Sequence, residues 1–131
     1  MPLGCGMLAM LGGASAPSPY PPQTLLLLVA SWCAPCRVEL SRLDAIAEAA
    51  GPWQVRVVPV DATRATSAML RTVDPGRVWR SARGIEALSR DTGGLPFSMM
   101  TDAAGQPCAR HSRMLDAAAV REMRGRCEAA R

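Results

Sequence analysis

The chain has 131 residues, 49% apolar and 20% charged, the size of one domain and a composition that can bury a core rather than remain disordered. Its formal charge is +4, carried by arginine without any lysine, and its aromatics are three Trp, one Tyr and one Phe. A nucleic-acid-binding surface would need a basic stripe with interleaved aromatics or a recognisable motif, so no nucleic-acid partner is expected. The densest basic cluster, Arg121, Arg124 and Arg126, fits a solvated helix face.

Met1 to Pro22, MPLGCGMLAMLGGASAPSPYPP, carries no charged side chain, is apolar through Leu11 and then passes into small residues and prolines. A short apolar run followed by Ala14-Ser15-Ala16 has the layout of an export signal, although no Lys or Arg precedes it and Pro17 follows the candidate cut. Residues 1–22 are therefore expected to form a signal-like or disordered leader and residues 23–131 the folded domain. The protein is expected to be periplasmic or otherwise exported. The apolar run falls short of the roughly 20 residues that a membrane-spanning helix needs.

Leu25 to Ala30, LLLLVA, is a continuous apolar run expected of a strand buried on both faces. From Arg37 to Ala50, Val38, Leu40, Leu43, Ile46 and Ala47 recur at helical spacing, with Glu39, Arg42, Asp44 and Glu48 largely opposite, and Gly51-Pro52 ends the pattern. One amphipathic helix is predicted there. Val55, Val57, Val58 and Val60 predict a second strand, and strand, helix, strand with short links implies a right-handed parallel crossover. Thr63 to Thr92 reads as two helical pieces broken at Asp74-Pro75-Gly76, with Val78, Trp79, Ala82, Ile85 and Leu88 as the apolar stripe of the second. Extended runs from Phe97 to Thr101 and from Cys108 to Leu115, joined by DAAGQ, suit an antiparallel hairpin. A final helix is predicted from Asp116 to Cys127, with Val120, Met123 and Cys127 on one face.

Between the first strand and the first helix lies SWCAPC, with two residues between Cys33 and Cys36. Such a pair can ligate a metal, cross-link the chain or exchange electrons. Structural zinc usually takes four ligands from paired motifs, and this chain offers one CxxC, isolated cysteines and the single His111. A dithiol at a helix start suits redox chemistry. Unpaired N–H groups and the helix dipole favour a thiolate at Cys33, and the two-residue spacer lets Cys36 close on Cys33 once a mixed disulfide has formed. Pro35 costs little in the first turn, where its missing N–H would be unpaired anyway.

WCAPC after an apolar strand, followed by RVE, resembles the thioredoxin superfamily, in particular the exported TlpA/ResA-like thiol-disulfide oxidoreductases, over Thr24 to Cys127. A second signature of that family is a cis proline facing the CxxC pair, and GGLPFSMMTDAAGQP places Leu95-Pro96 at the matching point. The resemblance implies an α/β thioredoxin-like fold, a central mixed β-sheet flanked by helices, in a monomer that exchanges disulfides with protein substrates as a reductase. Its electrons would come from a membrane donor, and it needs no cofactor or metal beyond the redox-active Cys33-Cys36 pair. Cys33 would be the exposed nucleophile and Cys36 the buried resolving thiol. Trp32 would form an apolar platform beside the disulfide, and Leu95 and Pro96 would align an extended substrate segment.

Cytosolic thioredoxins carry a buried Asp six residues before the first cysteine, where this chain has Leu27. Glu39 or a water then becomes the candidate proton acceptor for Cys36, unless Glu39 is an ordinary acid near a helix N-terminus. The stretch from Asp61 to Gly93 lacks a close match to the family's helix, strand and helix. A rival of a different class is a copper(I)-binding metallochaperone holding the ion between the two thiolates and His111.

Cys108 and Cys127 are expected to form a structural disulfide. A strand from Cys108 to Leu115 travels roughly 23 Å at about 3.3 Å per residue, and the helix back to Cys127 covers roughly 18 Å at 1.5 Å per residue. The near match brings the two ends together.

Overall fold

A computed structural model of the chain describes residues 17–130. All six residues of β1 (Thr24–Val29) are buried, as its unbroken apolar sequence requires of a strand covered on both faces. β1 pairs in parallel with β2 (Gln54–Pro59) and antiparallel with β3 (Phe97–Thr101), which pairs antiparallel with β4 (Pro107–His111), giving the order β2-β1-β3-β4. The two-residue periodicity of the strand divides the core. Leu25, Leu27 and Val29 join Val55, Val57 and Met100 on the face that holds Cys33 and Cys36. Leu26 and Leu28 join Val58, Phe97, Met99 and Leu88 on the other.

The single helix predicted over 37–50 is two helices, α1 (Ala34–Ser41) and α2 (Leu43–Ala50). The break has a local cause. The Ser41 hydroxyl donates to the Val38 carbonyl at 2.6 Å, and the Arg42 amide turns to the Glu39 carbonyl at 3.0 Å, leaving Arg42 at φ −109°. A side chain competing for a helical carbonyl is a recognised source of such bends.

Between β2 and β3 the chain forms α3 (Arg64–Met69), two short 3₁₀ turns (Leu70–Thr72 and Pro75–Arg77) and α4 (Ala82–Asp91). The second helical piece starts later than its apolar stripe suggests. Val78 makes a parallel bridge to Val57, and the Trp79 amide donates to the Val57 carbonyl at 2.9 Å. These residues continue the sheet edge, and the helix begins only after Ser81, whose hydroxyl accepts from the Gly84 amide at 3.1 Å. Two helices thus flank a single bridging residue at the sheet edge.

α5 (Ala117–Ala129) is capped by Asp116, which accepts from the Ala119 amide at 2.8 Å, and packs against α2, β3 and β4. Its Arg124 sits 5.9 Å from the centroid of Trp53 and donates to the Ala49 carbonyl at 3.2 Å. β4 ends at His111, four residues before the expected Leu115. With Ser98 opposite His111, further pairing would bring Arg113 opposite Pro96, which has no N–H to give.

Met1 to Ala16, including Cys5 and the candidate cleavage site, lies outside the described residues. The last residues of the expected leader pack on the domain. The Ser18 hydroxyl donates to the Gly105 carbonyl, the Thr101 hydroxyl donates to the Pro21 carbonyl at 2.8 Å, and Tyr20 rests on the second core cluster. Gly105 has φ +79°, and a Cβ there would run into the Tyr20 carbonyl.

Candidate active site

β1 delivers the chain directly into the Cys33 turn. Cys33 is the N-cap of α1, with extended backbone angles, and its Sγ accepts the Cys36 amide at 3.2 Å. The two cysteines form a disulfide with Cα atoms 5.3 Å apart. An N-cap sulfur facing an unpaired amide at the positive end of a helix is a setting that favours a thiolate when the bond is opened. Cys36 is fully buried, and its Sγ lies 3.5 Å from the Leu28 carbonyl. The expected exposure of Cys33 is not found. It is 4% exposed because its side chain turns inward to cap the helix and close on Cys36.

Trp32, by contrast, is 67% exposed. Its indole is nevertheless held, with Nε1 donating to Asp61 Oδ2 at 3.1 Å. Asp61 Oδ1 accepts from the Thr63 hydroxyl at 2.8 Å, and Thr63 caps α3. The buried Thr66 hydroxyl accepts from the Ser31 amide at 3.0 Å, and Arg37 Nε donates to the Ser31 carbonyl at 2.9 Å. Hydrogen bonds from Thr66, Thr63 and Trp32 hold the Asp61 carboxyl below the usual carboxylate range. Ser31, Asp61, Thr63 and Thr66 were not singled out from the sequence. The only signal was local, an Asp-x-Thr and a Thr-x-x-Thr of the kind that caps helices, with nothing to say that α3 would reach the CxxC turn.

Glu39 stands one turn after Cys36 on the same buried face of α1 and is fully buried. Its Oε2 accepts from the Leu115 amide at 2.7 Å, and its Oε1 has no protein partner among the described residues. Burial raises its pKa to about 7, against the lowering effect of the Leu115 hydrogen bond. It is not the solvated helix acid that its position in sequence also permitted.

The Leu95-Pro96 peptide is cis. Leu28 lies opposite Phe97 in the β1–β3 register, so Pro96 and Leu95 occupy the sheet end from which β1 leads to Cys33. Leu95 is half-buried against both core clusters.

Cys108 and Cys127 form a second disulfide, with Cα atoms 5.0 Å apart. The route differs from the matched strand and helix lengths, since residues 112–116 form a loop. Cys108 lies in β4 beside Met100 and Thr101, at the sheet end remote from the CxxC turn. His111 is not brought to the two thiols. It sits opposite Ser98, which faces Leu27, two strand spacings or roughly 10 Å from β1, and no cluster of three metal-ligating residues occurs among the described residues.

No protein-family model and no curated protein matches the chain. Solved structures do. A candidate thiol:disulfide interchange protein DsbE from Chlorobium tepidum superposes with a TM-score of 0.61 at 22% identity, covering 86% of this chain and 82% of that one. The exposed lipoprotein thioredoxin Etrx1 of Streptococcus pneumoniae gives 0.60 at 20% identity, over 78% and 83%. A secreted disulfide oxidoreductase of Mycobacterium tuberculosis, homologous to E. coli DsbE, gives 0.54 at 21% identity, over 86% and 84%. With its β2-β1-β3-β4 mixed sheet, a CxxC pair at the start of α1 and a cis proline before β3, the chain has the fold of the thioredoxin superfamily.

Proposed function

We propose that the protein is a thiol-disulfide oxidoreductase that reduces disulfides in protein substrates outside the cytoplasm. The observation that carries this reading is the Cys33 sulfur, capping α1 and accepting the Cys36 amide within a CxxC disulfide. In the reduced protein the Cys33 thiolate attacks one sulfur of a substrate disulfide. A protein–substrate disulfide forms, and the second substrate sulfur leaves as a thiolate that takes up a proton. Cys36 then loses its proton and attacks Cys33 Sγ, releasing the first substrate sulfur as a thiol. The substrate gains two electrons and two protons, and the protein is left with the Cys33-Cys36 disulfide. A dithiol donor, in this reading a membrane protein, restores the reduced pair.

Glu39 is the group proposed to take the Cys36 proton. An acid with a pKa of about 7 is available in both protonation states near neutral pH. Trp32, steadied by Asp61, is proposed as the apolar platform, and Leu95 and Pro96 as the edge along which the substrate backbone lies. The Cys108-Cys127 disulfide supports an oxidising compartment, where such bonds persist, and the similar structures described as an exposed lipoprotein and a secreted protein agree with one.

Two measurements test the reading. Insulin reduction driven by dithiothreitol should require Cys33, and Cys36→Ser should accumulate mixed disulfides that Cys33→Ser does not. The reduction potential of the pair should lie nearer that of thioredoxin, about −270 mV, than that of a strong oxidant, about −120 mV. A value at the oxidising end would reverse the direction proposed here.

A further inference from the structure

Three of the chain's four net positive charges reside in residues 61–83, a stretch that holds Arg64, Arg71, Arg77, Arg80 and Arg83 and only two acids, Asp61 and Asp74. The two carboxylates have local tasks. Asp61 holds Trp32 and Thr63, and Asp74 accepts from the Gly76 amide at 2.9 Å. None of the five arginines forms a salt bridge among the described residues, whereas Arg90, Arg110 and Arg124 pair with Glu86, Asp91 and Glu128. The charge is therefore localised and uncompensated, unlike the interleaved arginines of α5.

It also borders a groove. Leu70, Val73, Val78 and Trp79, with Arg71 and Arg80, line an open cleft of about 810 Å³, within the roughly 300 to 1,000 Å³ of ligand sites. Trp79 is fixed in it by its amide bond to Val57 and by Gly84, where any Cβ would overlap the indole. Arg80 is shared with an adjoining cleft of about 310 Å³ that contains Asp61, the partner of the Trp32 indole. Arg64 lies next to the Thr63 cap, and Arg37 is tied to Ser31, so the cationic rim reaches the CxxC turn. Asp61 and Arg80 thus link the Trp32 indole to the cleft that holds Arg71.

We propose that this groove is the docking surface for an extended acidic segment of the protein substrate, whose carboxylates meet Arg71 and Arg80 while an apolar side chain enters against Trp79. The inference rests on the exchange activity proposed above and adds to it a substrate class. Apolar walls set between two cations suit a polypeptide carrying both kinds of side chain better than a flat anionic membrane.

The test uses the reduced full-length protein and three probes. Two are peptides with the same intramolecular disulfide, one flanked by Asp and Glu residues and the other by Lys residues. The third is a small uncharged disulfide. The acidic peptide should be reduced with at least about tenfold higher kcat/KM than the basic one at low ionic strength. That preference should collapse in 1 M salt, where the Debye length is about 3 Å, and in Arg71→Glu/Arg80→Glu, which should leave turnover of the uncharged disulfide unchanged. Equal rates for the two peptides, or an acidic preference that survives the double substitution, would overturn the docking surface and leave the exchange reading intact. Failure to reduce the uncharged disulfide would remove the exchange reading itself. Tight binding to vesicles of anionic phospholipid, abolished by the double substitution while the peptides remain undistinguished, would overturn the polypeptide partner in favour of a membrane.

Discussion

The Cys33-Cys36 disulfide joins residues three positions apart at the start of a helix, whereas Cys108-Cys127 joins an edge strand to the last turns of α5 across nineteen positions. Their surroundings differ more than their lengths. Cys33 faces a helix amide, follows an exposed tryptophan and starts the helix that carries a buried acid. Cys127 is 2% exposed in an apolar cluster with Val120 and Met123, and Cys108 is half-buried at its margin. The first bond has local chemistry that favours opening it. The second has geometry that favours keeping the sheet and α5 together. Position in the fold, rather than the presence of two cysteines, separates the proposed exchange site from the proposed staple.

The largest difference should be in activity. Cys33→Ser should lower insulin reduction by about three orders of magnitude or more, as loss of a covalent nucleophile does. Cys108→Ala/Cys127→Ala should stay within about twofold of the unmodified protein, as expected of a distant, independent site. A comparable loss in both variants would erase the distinction. Stability should show the reverse order. By chain-entropy reasoning the long loop contributes about 3 kcal/mol and the short one about 2 kcal/mol, so denaturant unfolding of the Cys108→Ala/Cys127→Ala protein should report the greater cost. Finding the CxxC bond the more stabilising of the two would contradict the role of staple.

Glu39 links the two regions, since it stands on the CxxC helix and binds the amide of Leu115, just ahead of the helix that the second disulfide pins. Between its ordinary value of 4.5 and its folded value of about 7 the native chain holds a proton that the unfolded chain has released. The stabilisation is complete below about pH 4.5 and is lost as the pH rises through about 7, a change of about 3 kcal/mol. Glu39→Gln should therefore match the unmodified oxidised protein near pH 4.5 and exceed it in unfolding free energy by up to about 3 kcal/mol at pH 8. Parallel pH dependences for the two proteins would show that Glu39 titrates normally. Smaller still should be Asp61→Asn. The amide can still accept the indole N–H, so exchange should fall by no more than about fivefold. A larger loss would mean that the carboxylate charge, rather than the position of Trp32, matters.

Where a stretch of sequence met its partners locally, it was legible. The unbroken apolar run of β1, the valines of β2 and the Val120, Met123 and Cys127 face of α5 each follow from burial pattern within a few residues. CxxC at a strand–helix junction was legible for the same reason, because thiolate stabilisation comes from the helix that begins there. The break at Arg42 was not, since a hydroxyl bond to Val38 had to outcompete a favourable helical pattern. Nor was the end of β4, which depends on a proline just ahead of the neighbouring strand.

By itself the sequence determined the place of the CxxC pair at a strand–helix junction, the two-sided burial of the central strand and the fold class, because these depend on residue type and short-range periodicity. Tertiary structure alone decided that Val78 would complete the sheet edge, that Asp61 and Thr66 would hold the turn carrying Trp32, and that Glu39 would be sealed beneath Leu115. Each of these last pairs is separated by roughly twenty to eighty residues. Their contacts exist only after the layers have packed, and it is that packing that removes water from Glu39 and holds the Trp32 indole beside the cysteine turn.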